Sequence, residues 1–217
     1  MTEHEIVEKT KDFVKKTLEG AEGGHDWFHI ERVYKNAKHI AHTEDANLFV
    51  VELGALLHDI ADSKFHNGDE SVGPTTAKNF LNSQGVEEDV IDHVVKIIEN
   101  ISFKGGNGQQ KFKSIELDIV QDADRLDALG AIGIARTFNY GGFKNRPLYD
   151  PSIEPQMNMT KEEYKASNAP TINHFYEKLL LLKDRMNTET GRKIAAERHK
   201  FMENFLEQFY AEWDGIQ

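Results

Sequence analysis

Cysteine is absent from this 217-residue chain, which removes disulfide frameworks, thiolate metal sites and cysteine nucleophiles in one step. Long apolar runs are missing too. No stretch approaches the roughly 18 consecutive apolar residues of a membrane-spanning helix, and the opening Met-Thr-Glu-His-Glu is polar where a secretory leader would be apolar. Basic residues are few beside acidic ones, 26 Lys and Arg against 37 Asp and Glu, giving a formal net charge of -11. Most of such a surface repels a nucleic-acid polymer, although a small anion can still bind at a local basic spot. These absences lead us to expect a soluble, cytoplasmic protein with no membrane partner. At this length one sizeable domain with a well-buried core suffices, so we expect a single domain over residues 1–217.

What the chain does contain is apolar helical periodicity interrupted by polar groups in a few places. The stretch Leu53-Gly-Ala-Leu-Leu-His-Asp-Ile-Ala61 is apolar for most of two turns and then sets His58 beside Asp59. A carboxylate taken out of water costs several kcal/mol unless it pairs, neutralises or binds a cation. Alone, the pair is equally well explained as a hydrogen-bonded core pair or as a helix end reaching solvent.

Thr2 and Glu5 form a capping-box pattern at the start of a first helix that Gly20, Gly23 and Gly24 stop. Asp26 can cap a second, in which Trp27, Ile30, Val33, Tyr34, Ala37, Ile40 and Ala41 recur at helical spacing, with His29 at the edge of that face. The third helix, expected over Asn47 to Ala61, is apolar nearly all round and is the candidate central helix. A polar loop, Asp62 to Ser71, follows it. Pro74 suits the first turn of a helix through Leu81 with Gly85 at its stop. The β-branched run from Val90 to Ile101 keeps three- and four-residue spacing and is expected to be helical. Lys104 to Lys111 is a glycine-containing loop without the strand and helix that a phosphate-cradling motif requires.

From Ile115 the helical spacing runs on towards Ala135, broken by Asp118, Asp122 and Asp124. Carboxylates this close repel one another unless a cation or basic partners intervene; an exposed acidic face is the plain alternative. Residues 139–169 shift to Gly, Pro, Asn and charge and are expected to form a long loop or lid. Two amphipathic helices, at about 170–213, close the chain; the last is left to pack internally or to form a homodimer. The expected fold is all-α, a compact helical bundle.

One His on the second helix, His-Asp at the end of the third and Asp-Ala-Asp on a later one make a donor set suited to a borderline divalent ion such as Mn, Fe, Ni, Co or Zn, with Mg also conceivable. In that order, His29 in His29-Ile-Glu-Arg32-Val33, then His58 and Asp59, then Asp124 in Ala123-Asp124-Arg125-Leu126, the sequence resembles the HD-domain metal-dependent phosphohydrolases. The resemblance covers most of the chain. It implies an all-α bundle of the HD type with His29, His58, Asp59 and Asp124 as metal ligands. His25 competes with His29, and Asp122 competes with Asp124.

More narrowly, Lys64-Phe-His66-Asn-Gly68-Asp69-Glu70, the segment Asp122 to Arg136, and Asp184 to Thr188 with Arg198-His199 look like the small bacterial branch of (deoxy)nucleoside-triphosphate pyrophosphohydrolases. That likeness implies a nucleotide as partner, release of pyrophosphate, and one divalent metal, with Mn as first choice. It matches Asp62 to a water-activating carboxylate, at a position often occupied by Glu in the family. His66, in the same loop, is a candidate to protonate the leaving pyrophosphate or to hydrogen-bond a phosphate. Arg32, Lys64, Asp69, Glu70 and Arg125 are the expected substrate contacts, and Lys144 or Arg146 could be brought in from the lid. Alternatives on the same ligands are a 5'-nucleotidase or a phosphodiesterase; outside catalysis, the alternative is a nucleotide-binding or metal-structural module.

Overall fold

The structure, a computed structural model, describes residues 1–20, 26–61, 69–101, 112–160, 163 and 166–216, and among these there is no strand. The chain divides into two compact units, Met1–Asp124 and Arg125–Gln217. None of its described helices is long and apolar enough to cross a membrane.

The first unit contains α1 (Glu3–Thr17), α2 (Trp27–Ala41), α3 (Leu48–Leu57), α4 (Val72–Ser83), α5 (Glu88–Asn100) and most of α6 (Ile115–Asp127). Its helix starts follow the side chains that cap them. The Thr2 N–H donates to Glu5 at 2.8 Å while the Glu5 N–H donates to Thr2 Oγ1 at 3.2 Å, so two of the orphan donors of α1 are satisfied reciprocally. Asp26 accepts from the His29 N–H at 2.9 Å, and Asn47 accepts from the N–H groups of Phe49 and Val50. The caps at Thr2 and Asp26 lie where the sequence places them, and Asn47, expected at the start of the third helix, serves as its cap.

Helix α3 packs against α1, α2 and α5, which is why it is apolar on every side. Leu53, Ala55, Leu56 and Leu57 are fully buried. Its one charged residue, Glu52, accepts a 2.7 Å hydrogen bond from the Tyr34 hydroxyl and pairs with Lys38 at 2.9 Å. Gly54 is where α5 comes close: a Cβ there would stand 3.2 Å from Ile97 Cδ1. The helix is shorter than expected. It ends at Leu57 and residues 58–61 form a turn, so His58 and Asp59 sit just beyond a helix end instead of inside a helix. The β-branched run is helical, as α5, with Ile91, Val94 and Ile97 fully buried.

The second unit holds α7 (Gly130–Phe143), the short α8 (Asn173–Glu177), two 3-10 turns (Leu179–Leu181 and Lys183–Arg185) and the long α9 (Glu189–Trp213). The helical pattern from Ile115 towards Ala135 is interrupted after Asp127, and Gly130 restarts the chain at φ +69°, a left-handed conformation that glycine adopts without strain. The expected loop from residue 139 begins later, because α7 continues through Gly141 and Gly142 to Phe143. Gly141 is needed there: a Cβ would collide with Thr171 Oγ1. Phe138, Phe175, Phe205 and Phe209 form a chain of ring contacts at centroid separations of 5.9 to 6.2 Å, which joins α7, α8 and α9 into one apolar cluster.

Candidate metal centre

Three elements of the first unit place polar groups at one point. His29 is in the first turn of α2 and its ring is almost wholly buried; the cap from Asp26 to its N–H fixes where the helix begins. His58 follows the last residue of α3, and its Nδ1 lies 2.9 Å from the Ala55 carbonyl oxygen. A carbonyl only accepts, so Nδ1 carries the proton and donates, leaving the Nε2 lone pair available to a cation. The rings of His29 and His58 meet edge to face, 5.4 Å between centroids.

Asp59 comes next in the same turn, and one ligand atom from each of His29, His58 and Asp59 lies within 4.8 Å of the other two. A carboxylate at this end of α3 faces the negative pole of the helix dipole, an unfavourable place for it without a cation. Asp124, on α6, approaches the two imidazoles from a third element: its Oδ1 is 3.5 Å from His29 Nε2 and 3.9 Å from His58 Nε2. Its side chain is 41% exposed, so one side of the cluster is open to a ligand.

The donor set fits a divalent ion on chemical grounds. Bonds of about 2.1 Å to one ion place neighbouring donor atoms about 3 to 3.5 Å apart; Asp124 Oδ1 lies 3.5 and 3.9 Å from the two imidazoles, and the His29, His58 and Asp59 atoms lie within 4.8 Å of one another. Two neutral imidazoles and two carboxylates also neutralise a dication without surplus charge of one sign. Asp122 is fully buried and lies about 200° round α6 from Asp124.

Several polar residues set the position of α6, and the sequence reading did not single them out. Gln121 is buried and its Nε2 donates to the Asn100 carbonyl at 2.9 Å, satisfying an end carbonyl of α5. Glu116, also buried, accepts from the Asn47 N–H at 3.0 Å and stands 3.4 Å from His93 Nε2. Asn36 Nδ2 donates to the Ala123 carbonyl at 3.5 Å, next to Asp124. The available signal was a polar residue at a position where α6 should be apolar, the same signal that singled out the aspartates.

The remaining expected residues are distributed as follows. Arg32 is half-buried on α2, three residues after His29. Arg125 donates to the Arg185 carbonyl at 2.6 Å, which engages part of its guanidinium. Asp69 accepts from the Ser71 N–H and hydroxyl at 2.9 and 2.6 Å, forming a turn ahead of α4, and Glu70 is exposed. Arg146 donates to the Ser167 carbonyl at 2.6 Å. His25, Asp62, Lys64 and His66 lie outside the described residues.

The HD domain pattern matches residues 27–129, the span that holds all four converging side chains. YpgQ of Bacillus subtilis is 39% identical over 217 residues, covering all of this chain and 98% of that protein. This chain belongs to the HD-domain family. An HD-superfamily hydrolase from Bacillus thuringiensis superposes with a TM-score of 0.80 at 47% identity, over 98% of this chain and 99% of that one. The crystal structure of YpgQ in complex with ADP superposes with a TM-score of 0.75 at 35% identity, over 98% of this chain and 97% of the other. The protein is therefore an HD-superfamily hydrolase. The HD domain implies a divalent metal, and His29, His58 and Asp59 form a group able to hold one.

Proposed function

We propose that this HD hydrolase converts (deoxy)nucleoside triphosphates to the monophosphate and pyrophosphate, using one divalent metal, manganese by preference, held by His29, His58, Asp59 and Asp124. The observation that carries the reading is the approach of Asp124 Oδ1 to the two imidazole Nε2 atoms, 3.5 and 3.9 Å, beside Asp59. Bound there, a divalent ion would polarise a phosphoryl oxygen and bring the pKa of a water towards neutrality. The ADP complex of YpgQ supports a nucleotide as the substrate class.

The chain's own residues account for the remainder of the mechanism. The His58 to Ala55 hydrogen bond selects the Nδ1–H tautomer of the neutral ring and orients its Nε2. Asp62 accepts a proton from the attacking water as its oxygen bonds to the α-phosphorus. His66 gives a proton to the bridging oxygen as the bond to the β-phosphate breaks and pyrophosphate departs. Arg32, Lys64 and Arg125 offset substrate charge that a chain of net charge -11 would otherwise repel. Asp69 and Glu70 accept hydrogen bonds from the sugar or base.

Asp62→Asn tests the division of labour. Turnover should fall by about a hundredfold or more, the usual range for losing a general base, while bound manganese measured by plasma emission stays at the wild-type ratio. Loss of the metal along with turnover would instead make Asp62 a ligand, and unchanged turnover would remove its catalytic role.

A further inference from the structure

In the second unit, the segment Tyr149-Asp-Pro-Ser-Ile-Glu-Pro155 is tied down on both sides. Asp150 accepts from the Ser152 N–H and hydroxyl at 2.9 and 2.7 Å. The buried Asn173 side chain donates to the Ile153 carbonyl at 3.0 Å, and Glu177 accepts from the Gln156 N–H at 3.1 Å. Tyr149 stands edge-on to Tyr210 and Trp213, with centroids 5.3 and 5.0 Å away. These ties hold open a cavity of about 370 Å³ walled in part by Tyr149, Tyr176, Tyr210, Pro151 and Pro155. Its size falls within the roughly 300 to 1,000 Å³ of small-molecule sites.

The wall chemistry narrows the ligand. Among the described residues it offers three phenol rings and a single charged group, the exposed carboxylate of Glu154, and no Lys, Arg or His. Among the described residues Glu154 makes no ion pair. An anion finds no counter-charge among these described wall residues, whereas the π faces of tyrosine attract a cation and a neighbouring carboxylate adds to that attraction. Burial and a hydrogen bond with Tyr176 push the Tyr210 phenol well above its usual range, so that ring stays neutral at physiological pH.

We propose that this cavity binds a small organic cation of the alkylammonium class, with its charged head among Tyr149, Tyr176 and Tyr210 and beside Glu154. The wall residues all belong to Arg125–Gln217 and the metal-ligand group to Met1–Asp124, so binding at the cavity stands or falls independently of the nucleotide reaction.

Titrating the full chain with choline and with its uncharged isostere, in which a tert-butyl group replaces the trimethylammonium, distinguishes a cation site from a merely apolar one. Calorimetry and intrinsic fluorescence supply the readout. Choline should bind about tenfold more tightly than the alcohol, the scale expected of a partly desolvated cation–π site. Tyr176→Leu should abolish binding. Glu154→Gln, a change at an exposed position, should leave Tm unchanged and weaken choline about threefold or more without affecting the alcohol. Equal affinity for the two ligands, no saturable choline binding, or full choline affinity in Glu154→Gln overturns the proposal.

Discussion

His29 Nε2 and Asp124 Oδ1 stand 3.5 Å apart, although one side chain comes from the first turn of α2 and the other from α6. Two groups of such different chemistry, brought together beside a second imidazole and a second carboxylate, account for one another best through a shared cation. Asp124→Ala should therefore lower bound divalent metal to background and turnover by at least about a hundredfold, the loss already typical of residues one step removed from a metal. Asp122→Asn is the control: this carboxylate is fully buried and lies about 200° round α6 from Asp124, so its loss should lower Tm while the stable fraction still binds metal. Plasma emission on the purified variants decides; the opposite pattern would exchange the roles of the two aspartates.

Gln121 should matter for stability. Replacing it with Leu leaves the Asn100 carbonyl at the end of α5 without the donor that satisfies it, a loss of about 1 to 3 kcal/mol. Urea denaturation at pH 7.5 measures it, and a change below about 0.5 kcal/mol, the range of ordinary surface substitutions, would show that water replaces the amide without cost.

Much of this was legible in the sequence, for identifiable reasons. Two helix starts were readable because Thr2 and Asp26 act on backbone donors within three residues of themselves. The centrality of α3 was readable because burial on every side leaves no polar face. His58, Asp59 and Asp124 announced themselves as polar groups where packing calls for apolar ones. The end of α3 and the break before Gly130 were not readable. Nothing local distinguishes Leu57 from a continuing helix, and the apolar spacing persists across the break between α6 and α7. The structural work of Glu116 and Gln121 depends on which backbone groups of α3 and α5 lie opposite them, which only the assembled fold determines.

Two glycines of α7 should respond in opposite directions to the same substitution. A Cβ at Gly133 would fall on the Ala128 carbonyl, whereas one at Gly142 meets nothing within 4 Å. Gly133→Ala should cost about 1 to 3 kcal/mol through overpacking against backbone. Gly142→Ala should stabilise by up to about 1 kcal/mol by restricting the unfolded chain. Thermal denaturation of both variants beside the parent checks the pair, and equal Tm values would contradict the close packing at Gly133.

His174 makes the second unit sensitive to acid. Burial, with Lys178 and Arg146 nearby, lowers its pKa from 6.5 to about 4. Between these values the unfolded chain takes up a proton that the folded one does not, so folded stability is intact above about pH 6.5 and declines as pH falls towards 4. Allowing for water reaching the half-buried ring, the decline is about 2 kcal/mol. The stability of His174→Gln relative to the parent should rise by about that amount between pH 7.5 and pH 4. A difference independent of pH would mean that the ring protonates equally well in both states.

The reaction itself is tested most directly by incubating the full chain with manganese and a deoxynucleoside triphosphate and following the products by phosphorus NMR. The expected result is stoichiometric monophosphate and pyrophosphate, lost on addition of a chelator and absent in His58→Ala. Release of orthophosphate alone, or pyrophosphate release that survives both the chelator and the loss of His58, would contradict it.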